Sequence, residues 1–299
     1  MSHSISRRGF LATTAATGLA AASTSTLSTP RLCAQDDANE PPAPLKIGIM
    51  TYTLGAAWDL DTLISNCVAT KFEHIELRTT HAHGVEVSLS ASERETVKKK
   101  CEDAGLKVSL ASGFSYHSDD PAELRRNIEG TKEYTLLAKD IGALGIRVFP
   151  NAVPPEAGEE QDRAMERIGK AAAEVGTFAA DYNVEIRLAN HGHHTNRVPI
   201  LRKILDCADC PHVYVNWNCD RSDIEEPGFE ANFNSVKDKI SNIHLHDLSD
   251  GIYPYRKLFS MLTAHGYQGY CDAEVSASQE PLVFMRYYRA LFLALQNVI

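Results

Sequence analysis

The chain has 299 residues, 43% of them hydrophobic and 23% charged, with 39 acidic against 30 basic side chains and a net charge of −9. This composition excludes an intrinsically disordered chain and predicts one large globular domain. The acidic balance also argues against nucleic-acid phosphate as a partner, since phosphate binding depends on surplus lysine and arginine.

The first 34 residues have the pattern of an export signal. Arg7 and Arg8 precede a Phe-Leu pair and a weakly apolar run that extends to Ser28. This resembles a twin-arginine secretion signal, which predicts cleavage after residues 1–34 and a periplasmic or extracellular protein. A transmembrane anchor is the alternative, but Thr and Ser interrupt the run, so no stable membrane span is expected after signal removal. Cleavage would remove three arginines and no acid, which changes the net charge from −9 to −12.

A short tether is predicted between the signal and the domain. Residues 35–45 are polar and proline-rich, so the folded domain is predicted over residues 46–299. The seven cysteines are scattered, as buried thiols usually are. Cys207 and Cys210 have the spacing of half a redox or zinc site, but no second pair accompanies them, and a disulfide between the two stays open.

Eight short apolar runs alternate with amphipathic segments after the tether. The predicted strands span residues 47–51, 74–77, 107–111, 145–149, 184–188, 212–217, 240–245 and 269–273. Apolar residues recur at helical spacing between them, and Gly105, Gly145 and Gly266 are expected to end helices. The simplest packing is an α/β (β/α)8 TIM barrel, a closed parallel sheet in a single domain. An open doubly wound sheet is the alternative, but no glycine-rich phosphate loop follows the first strand.

Polar side chains crowd the predicted carboxyl ends of these strands, where such barrels hold their active sites. Of the 12 histidines, His74 approaches this end and eight others lie at it: His81, His83, His117, His191, His193, His194, His244 and His246. Side chains alternate along a strand, so His244 and His246 share one face. Imidazole with carboxylate is a ligand set for Mn, Fe, Co or Zn, and His244 and Glu274 on neighbouring strands are the best-placed donors.

Five short motifs together resemble the xylose isomerase-like barrels, the sugar phosphate isomerase/epimerase superfamily. They are Ile-Glu-Leu-Arg at 75–78, Ile-Arg-Leu-Ala-Asn-His-Gly at 186–192, Val-Asn-Trp-Asn at 215–218, Ile-His-Leu-His-Asp at 243–247 and Asp-Ala-Glu at 272–274. The resemblance covers roughly residues 46–298 and rests on the order and spacing of the motifs.

The resemblance implies a divalent metal (Mn, Zn, Fe or Co), held in the family by Glu, Asp, His and Glu at the ends of strands five to eight. His244 and Glu274 match this pattern, whereas Ala189 and Asn218 replace the other two ligands. His191 follows Ala189 by two residues and could supply the missing donor, which gives His191, His244 and Glu274 as the predicted ligands, with Asn218 as a weak fourth. The alternative is a site that has lost its metal and binds only sugar.

The function that the resemblance implies is a sugar isomerase or epimerase that moves a proton next to a carbonyl, with a small carbohydrate as substrate. The predicted residues are Glu274, Glu76 and His117 for catalysis and His83, Arg147, Asn218, His246 and Asp247 for substrate binding. A lyase or hydratase shares the first step. A non-catalytic carbohydrate-binding barrel is an alternative from another class, and the oligomeric state stays open.

Overall fold

The computed structural model describes residues 43–299, which form a closed barrel of eight parallel strands. The strands are β1 Lys46–Met50, β2 His74–Arg78, β3 Lys107–Ser115, β4 Gly145–Phe149, β5 Glu185–Ala189, β6 Val213–Trp217, β7 Ile240–Leu245 and β8 Tyr270–Ala273. Each strand pairs with its neighbours along the chain, and β1 pairs with β8 to close the sheet. The predicted TIM barrel is therefore confirmed.

Eight helices connect the strands and cover the outside of the sheet. They are α1 Leu60–Thr70, α2 Ala91–Asp103, α3 Pro121–Ile141, α4 Glu159–Ala180, α5 Val198–Ala208, α6 Phe229–Val236, α7 Tyr255–His265 and α8 Pro281–Leu295. None of these helices, over the described part of the chain, is long and apolar enough to cross a membrane. The predicted signal, residues 1–34, lies outside the described residues, as does most of the predicted tether. Leu45 of that tether is buried, and its N–H donates to Gln296 at 2.8 Å.

Local sequence signals fix where the helices begin and end. Ser90 and Glu93 form a capping box at the start of α2, which satisfies backbone N–H groups that the first turn leaves free. Gly266 ends α7 in the left-handed conformation, as predicted. The sequence predicts the same role for Gly145, but Gly142 caps α3 and Gly145 begins β4. A Cβ at Gly145 would lie 2.7 Å from Nε of Arg187, so close packing inside the barrel explains this glycine.

The apolar core lies between the sheet and the helices, whereas the barrel interior is polar. Outward-facing residues such as Ile75, Leu77 and Ile243 are fully buried beneath the helices. The alternate residues of the same strands face the barrel axis and are equally buried: His74, Glu76, Ser109, Arg147, Arg187, Asn216, Asn242, His244 and Asp272. Buried polar groups are stable only when they find partners, so the barrel interior has to form a connected set of hydrogen bonds.

Candidate active site

A cavity of about 220 Å³ opens at the carboxyl ends of the strands, the end at which the sequence predicts the site. Its lining comes from seven strands and the segments that follow them: Tyr52, Arg78, Arg147, Phe149, Ala189, His191, Asn218, His244 and Glu274. The structure thus brings together the predicted residues Arg147, His191, Asn218, His244 and Glu274.

His244 is held between two carboxylates. Its Nε2 contacts Glu76 of β2 and its Nδ1 lies 3.2 Å from Glu274, which follows β8. Burial alone would lower the pKa of His244, but the charge of Glu76 and the hydrogen bonds to both carboxylates raise it to about 10. Both ring nitrogens therefore carry protons at neutral pH and donate to carboxylates.

The same contact keeps Glu274 ionised. Burial would raise the pKa of this carboxyl, but the hydrogen bond and charge of His244, with smaller contributions from His246 and Arg147, lower it to about 2. Glu274 faces the cavity as a carboxylate at every pH above that value. It is the acidic member of the cavity lining, since Glu76 lies deeper in the barrel and is fully buried.

Two guanidinium groups also line the cavity. Arg147 is 4% exposed, its Nη1 donates to the Ser112 carbonyl at 2.9 Å, and its Cζ lies 4.0 Å from the centre of the Phe149 ring. Burial lowers the pKa of Arg147 to about 10, so it keeps its charge at neutral pH. Arg78 is half-buried, and its Nη1 donates to the carbonyl and hydroxyl of Thr79 at 3.0 and 2.7 Å.

His191 lies at the rim of the cavity, beyond the end of β5. The residue is exposed, but its ring packs against Phe149 with 5.0 Å between ring centres. Partial desolvation there, together with the charge of Arg147, lowers the pKa of His191 below its ordinary value of 6.5. His191 is therefore neutral at neutral pH and can accept a proton from a molecule in the cavity.

Besides the buried Glu76, four predicted site residues do not line this cavity. His83 is buried, with Nε2 2.8 Å from the Arg78 carbonyl and Nδ1 accepting from the Val85 N–H, so it supports the loop after β2. His246 is half-buried, with Nε2 2.9 Å from the Asn218 carbonyl. Asp247 is exposed and accepts from the backbone N–H of Ser249.

His117 is the fourth of these residues. It follows β3 and lies 3.3 Å from the amide of Asn151, against a separate surface cavity of about 580 Å³. Conversely, sequence reasoning gave no role to Tyr52 and Phe149, which line the main cavity. The alternation of side chains along β4 could have identified Phe149, since it lies two residues after Arg147 on the same face.

A connected set of hydrogen bonds, here called the axial network, runs beneath the cavity along the barrel. Nη1 of Arg187 donates to Oγ of Ser109 at 2.9 Å, and the same hydroxyl lies 2.9 Å from Nε2 of His74. Nδ1 of His74 contacts Asp272 at 2.7 Å, and Asn242 bridges Asp272 to Glu76 with distances of 3.0 and 3.4 Å. Glu76 connects the axial network to His244.

The predicted ligands do not form a complete set for a divalent cation, since only His191 and Glu274 of the three have a donor free to face it. Ala189 lines the cavity without a donor atom, and Asn218 offers only an uncharged amide. Both nitrogens of His244 point at carboxylates, which leaves neither free for a metal. Two guanidinium groups share the same cavity and would repel the ion.

A second group of side chains has the spacing of a metal site, but its donor atoms are also occupied by hydrogen bonds. Donor atoms of Glu76, His244 and Asp272 lie within 4.8 Å of one another. Within the described chain, however, Asp272 is already bonded to His74 and Asn242, and Glu76 to His244. A metal would have to displace the hydrogen bonds of the axial network that satisfy these buried groups.

Comparisons with known proteins agree with this architecture. The sequence matches the family described as "Xylose isomerase-like TIM barrel" over residues 64–287. The chain is similar to the solved structure of L-ribulose 3-epimerase, with 20% identity, TM-score 0.70, and coverage of 85% of this chain and 95% of that chain. It is also similar to 3-keto-D-glucoside 4-epimerase from E. coli, with 17% identity, TM-score 0.68, and coverage of 84% and 99%.

A third similar structure is D-psicose 3-epimerase from Clostridium cellulolyticum, with 14% identity, TM-score 0.69, and coverage of 85% of this chain and 99% of that chain. At these identities the likeness is one of fold. A search of curated proteins found no match. The family match spans well over half of the chain, including seven of the eight barrel strands. The chain therefore belongs to the xylose isomerase-like TIM barrel family.

Proposed function

We propose that this protein is an enzyme that acts on a small carbohydrate by moving a proton next to a carbonyl group. The observation that carries the proposal is Glu274, a cavity-lining carboxylate kept ionised by the buried His244. The similar solved structures, which are epimerases of small sugars by name, support the same substrate class. A cavity of about 220 Å³ has the volume of about seven water molecules, which suits a monosaccharide rather than a long oligosaccharide.

The cavity residues suggest how the first step proceeds. Glu274 accepts the proton from the carbon beside the carbonyl, and the electron pair of that C–H bond moves to give an enediolate, with the negative charge on the former carbonyl oxygen. Arg147 donates to this oxygen and stabilises the charge. Since a carboxylate with a pKa of about 2 is a weak base, the fixed charge of Arg147 has to acidify the substrate C–H group.

The fate of the proton determines the product. If Glu274 returns it to the neighbouring carbon while a proton passes between the two substrate oxygens, the result is isomerisation. Return of a proton to the opposite face of the same carbon gives epimerisation, and His191, which follows β5, is the second cavity residue that can carry a proton. Loss of a leaving group from the enediolate would instead give elimination, as in a lyase.

All three reactions share proton removal, which hydrogen exchange measures directly. Incubation of the protein with D-fructose, D-tagatose and D-glucuronate in D2O should place deuterium on carbon in at least one of them, detected by NMR. Glu274→Gln should slow this exchange by about 100-fold or more, because it removes the base. The matched control is Glu156→Gln at an exposed position, which should leave exchange unchanged.

A non-catalytic carbohydrate-binding barrel is the second candidate, favoured by Ala189 and Asn218 at two positions where the family carries carboxylates. In that case calorimetry would detect binding of these sugars while no deuterium enters carbon. Equal exchange rates for the parent and Glu274→Gln would contradict the proposed role of Glu274.

A further inference from the structure

The two arginines of the cavity have no carboxylate partner. Arg78 and Arg147 both line the cavity, yet neither lies within 4.0 Å of an acidic oxygen in the region that the structure describes. Glu76 and Glu274 contact His244 instead. Elsewhere on the described chain, arginines with neighbouring acids form ion pairs, as Arg187 does with Glu185 at 2.7 Å.

Arg147 gives the stronger evidence for a bound anion, because it is only 4% exposed. Its Nη1 donates to a backbone carbonyl, but Nε is buried and has no hydrogen-bond partner among the described residues. A buried guanidinium with an unsatisfied donor is costly, and such groups are normally paired or bind an anion. Stacking on Phe149 holds the planar group in place without neutralising its charge.

Arg78 reaches the same cavity from β2 and is positioned by its own neighbours. Its Nη1 is fixed by Thr79, and the space beside Nη2 depends on Gly113, where a Cβ would lie 3.3 Å from that nitrogen. Guanidinium groups present planar sets of N–H donors that match the two oxygens of a carboxylate. Two of them facing one small cavity form an anion-binding wall.

We propose that Arg78 and Arg147 bind the carboxylate of a sugar acid, at the end of the barrel where the family resemblance implies a divalent cation. This inference rests on the proposed function, whose substrate class it narrows. A sugar phosphate presents the same kind of oxyanion, but its second negative charge would face Glu274 in the same cavity. The cavity volume suits one monosaccharide unit with a carboxylate.

Calorimetry on the full-length, chelator-treated protein tests this inference with three probes: D-glucuronate, D-glucose and D-glucose 6-phosphate. D-Glucuronate should bind at least tenfold more tightly than D-glucose and more tightly than the phosphate. Arg78→Met and Arg147→Met should each weaken glucuronate binding by about tenfold or more while affecting glucose less. Arg126→Met, at an exposed position, should change neither.

Two measurements distinguish a folding defect in Arg147→Met from a loss of glucuronate binding. A thermal melt of each variant reports folding, and Arg147→Lys keeps the charge while losing the planar donor set, so it should bind glucuronate with intermediate affinity. Equal affinity for glucuronate and glucose, or no loss in Arg78→Met and Arg147→Lys, would overturn the carboxylate site. Tighter binding of the phosphate would overturn it in favour of a phosphosugar.

Titration with manganese chloride alone tests whether the cavity binds a divalent cation instead of a carboxylate. The parent should show no binding of Mn²⁺ at its cavity, whereas Ala189→Glu, which adds a carboxylate to the lining, should gain Mn²⁺ affinity and lose glucuronate affinity. Tight Mn²⁺ binding by the parent that Glu274→Gln abolishes would contradict the expectation that the cavity holds no divalent cation.

The carboxylate site and the proposed enzyme can fail separately. Glucuronate binding without deuterium exchange would retain the carboxylate site and reject the proposed enzyme. Deuterium exchange on D-fructose without a preference for glucuronate would retain the enzyme and reject the carboxylate site.

Discussion

The carboxylates around His244 keep its imidazole ring protonated and positively charged. An ordinary histidine titrates near 6.5, but between Glu76 and Glu274 the pKa of His244 rises to about 10. A group whose pKa is raised on folding stabilises the fold fully below its unfolded pKa, and that contribution disappears as the pH rises through the folded pKa. Stability from His244 is thus complete below about pH 6.5 and is lost on the way to pH 10.

We therefore expect the free energy of unfolding of the parent to fall between pH 7 and pH 10. His244→Gln should be less stable at pH 6 but should show a shallower decline over the same range, because it has no proton to lose. Urea unfolding at a series of pH values measures both slopes. Parallel slopes for the parent and the variant would show that another group governs the decline.

The residues that the sequence placed well are those on or directly after strands. His244, Arg147 and Asn218 line the cavity because alternation along a strand fixes which side chains face the axis. His83 and His117 lie in loops, where no periodicity relates sequence position to direction, and neither lines the cavity. The charge of the site could not be predicted either, since it depends on which acid pairs with which base across the barrel.

At the scale of elements, the barrel depends on how closely its strands pack around polar side chains. β1 lies between β2 and β8, and Gly48 on β1 leaves room for the bond between His74 and Asp272. A Cβ at Gly48 would lie 1.9 Å from Oδ1 of Asp272 and 2.8 Å from Cβ of His74. All three groups are enclosed, so none can move away without disturbing the axial network.

Gly48→Ala should accordingly destabilise the fold by about 1–3 kcal/mol, the usual range for overpacking a dense interior. Gly251→Ala is the control, because a Cβ there meets no atom within 4 Å. Urea unfolding compares the two variants with the parent. Equal stability of both variants would mean that β1 shifts to accept the methyl group.

The order of elements was predictable because each strand is a compact apolar run bounded by polar segments. β4 and β7 have the predicted bounds, and the other strands begin or end within a few residues of them. The structure adds a two-residue ladder, Asn151–Ala152 with Gly192–His193, that the sequence did not reveal. Segments this short carry no periodicity, so only tertiary contact defines them.

At the scale of the whole molecule, the export prediction concerns residues outside the described part of the chain. Arg7→Lys with Arg8→Lys keeps the charge but removes the arginine pair that defines the resemblance to a twin-arginine signal. We expect the double variant to accumulate in the cytoplasm as uncleaved precursor. Cell fractionation and immunoblotting detect the shift, and normal periplasmic accumulation would show that the signal is of another kind.

The bond between His74 and Asp272 also has a consequence for the order of events during synthesis. Its partners lie 198 positions apart, and Asp272 belongs to β8, the last strand of the barrel to be synthesised. Until β8 emerges, Nδ1 of His74 lacks Asp272 and β1 lacks one neighbouring strand, so the polar interior is incomplete. Contacts between such distant residues slow folding, because the chain between them must first be brought together. We therefore expect the barrel to close only after β8 has been synthesised.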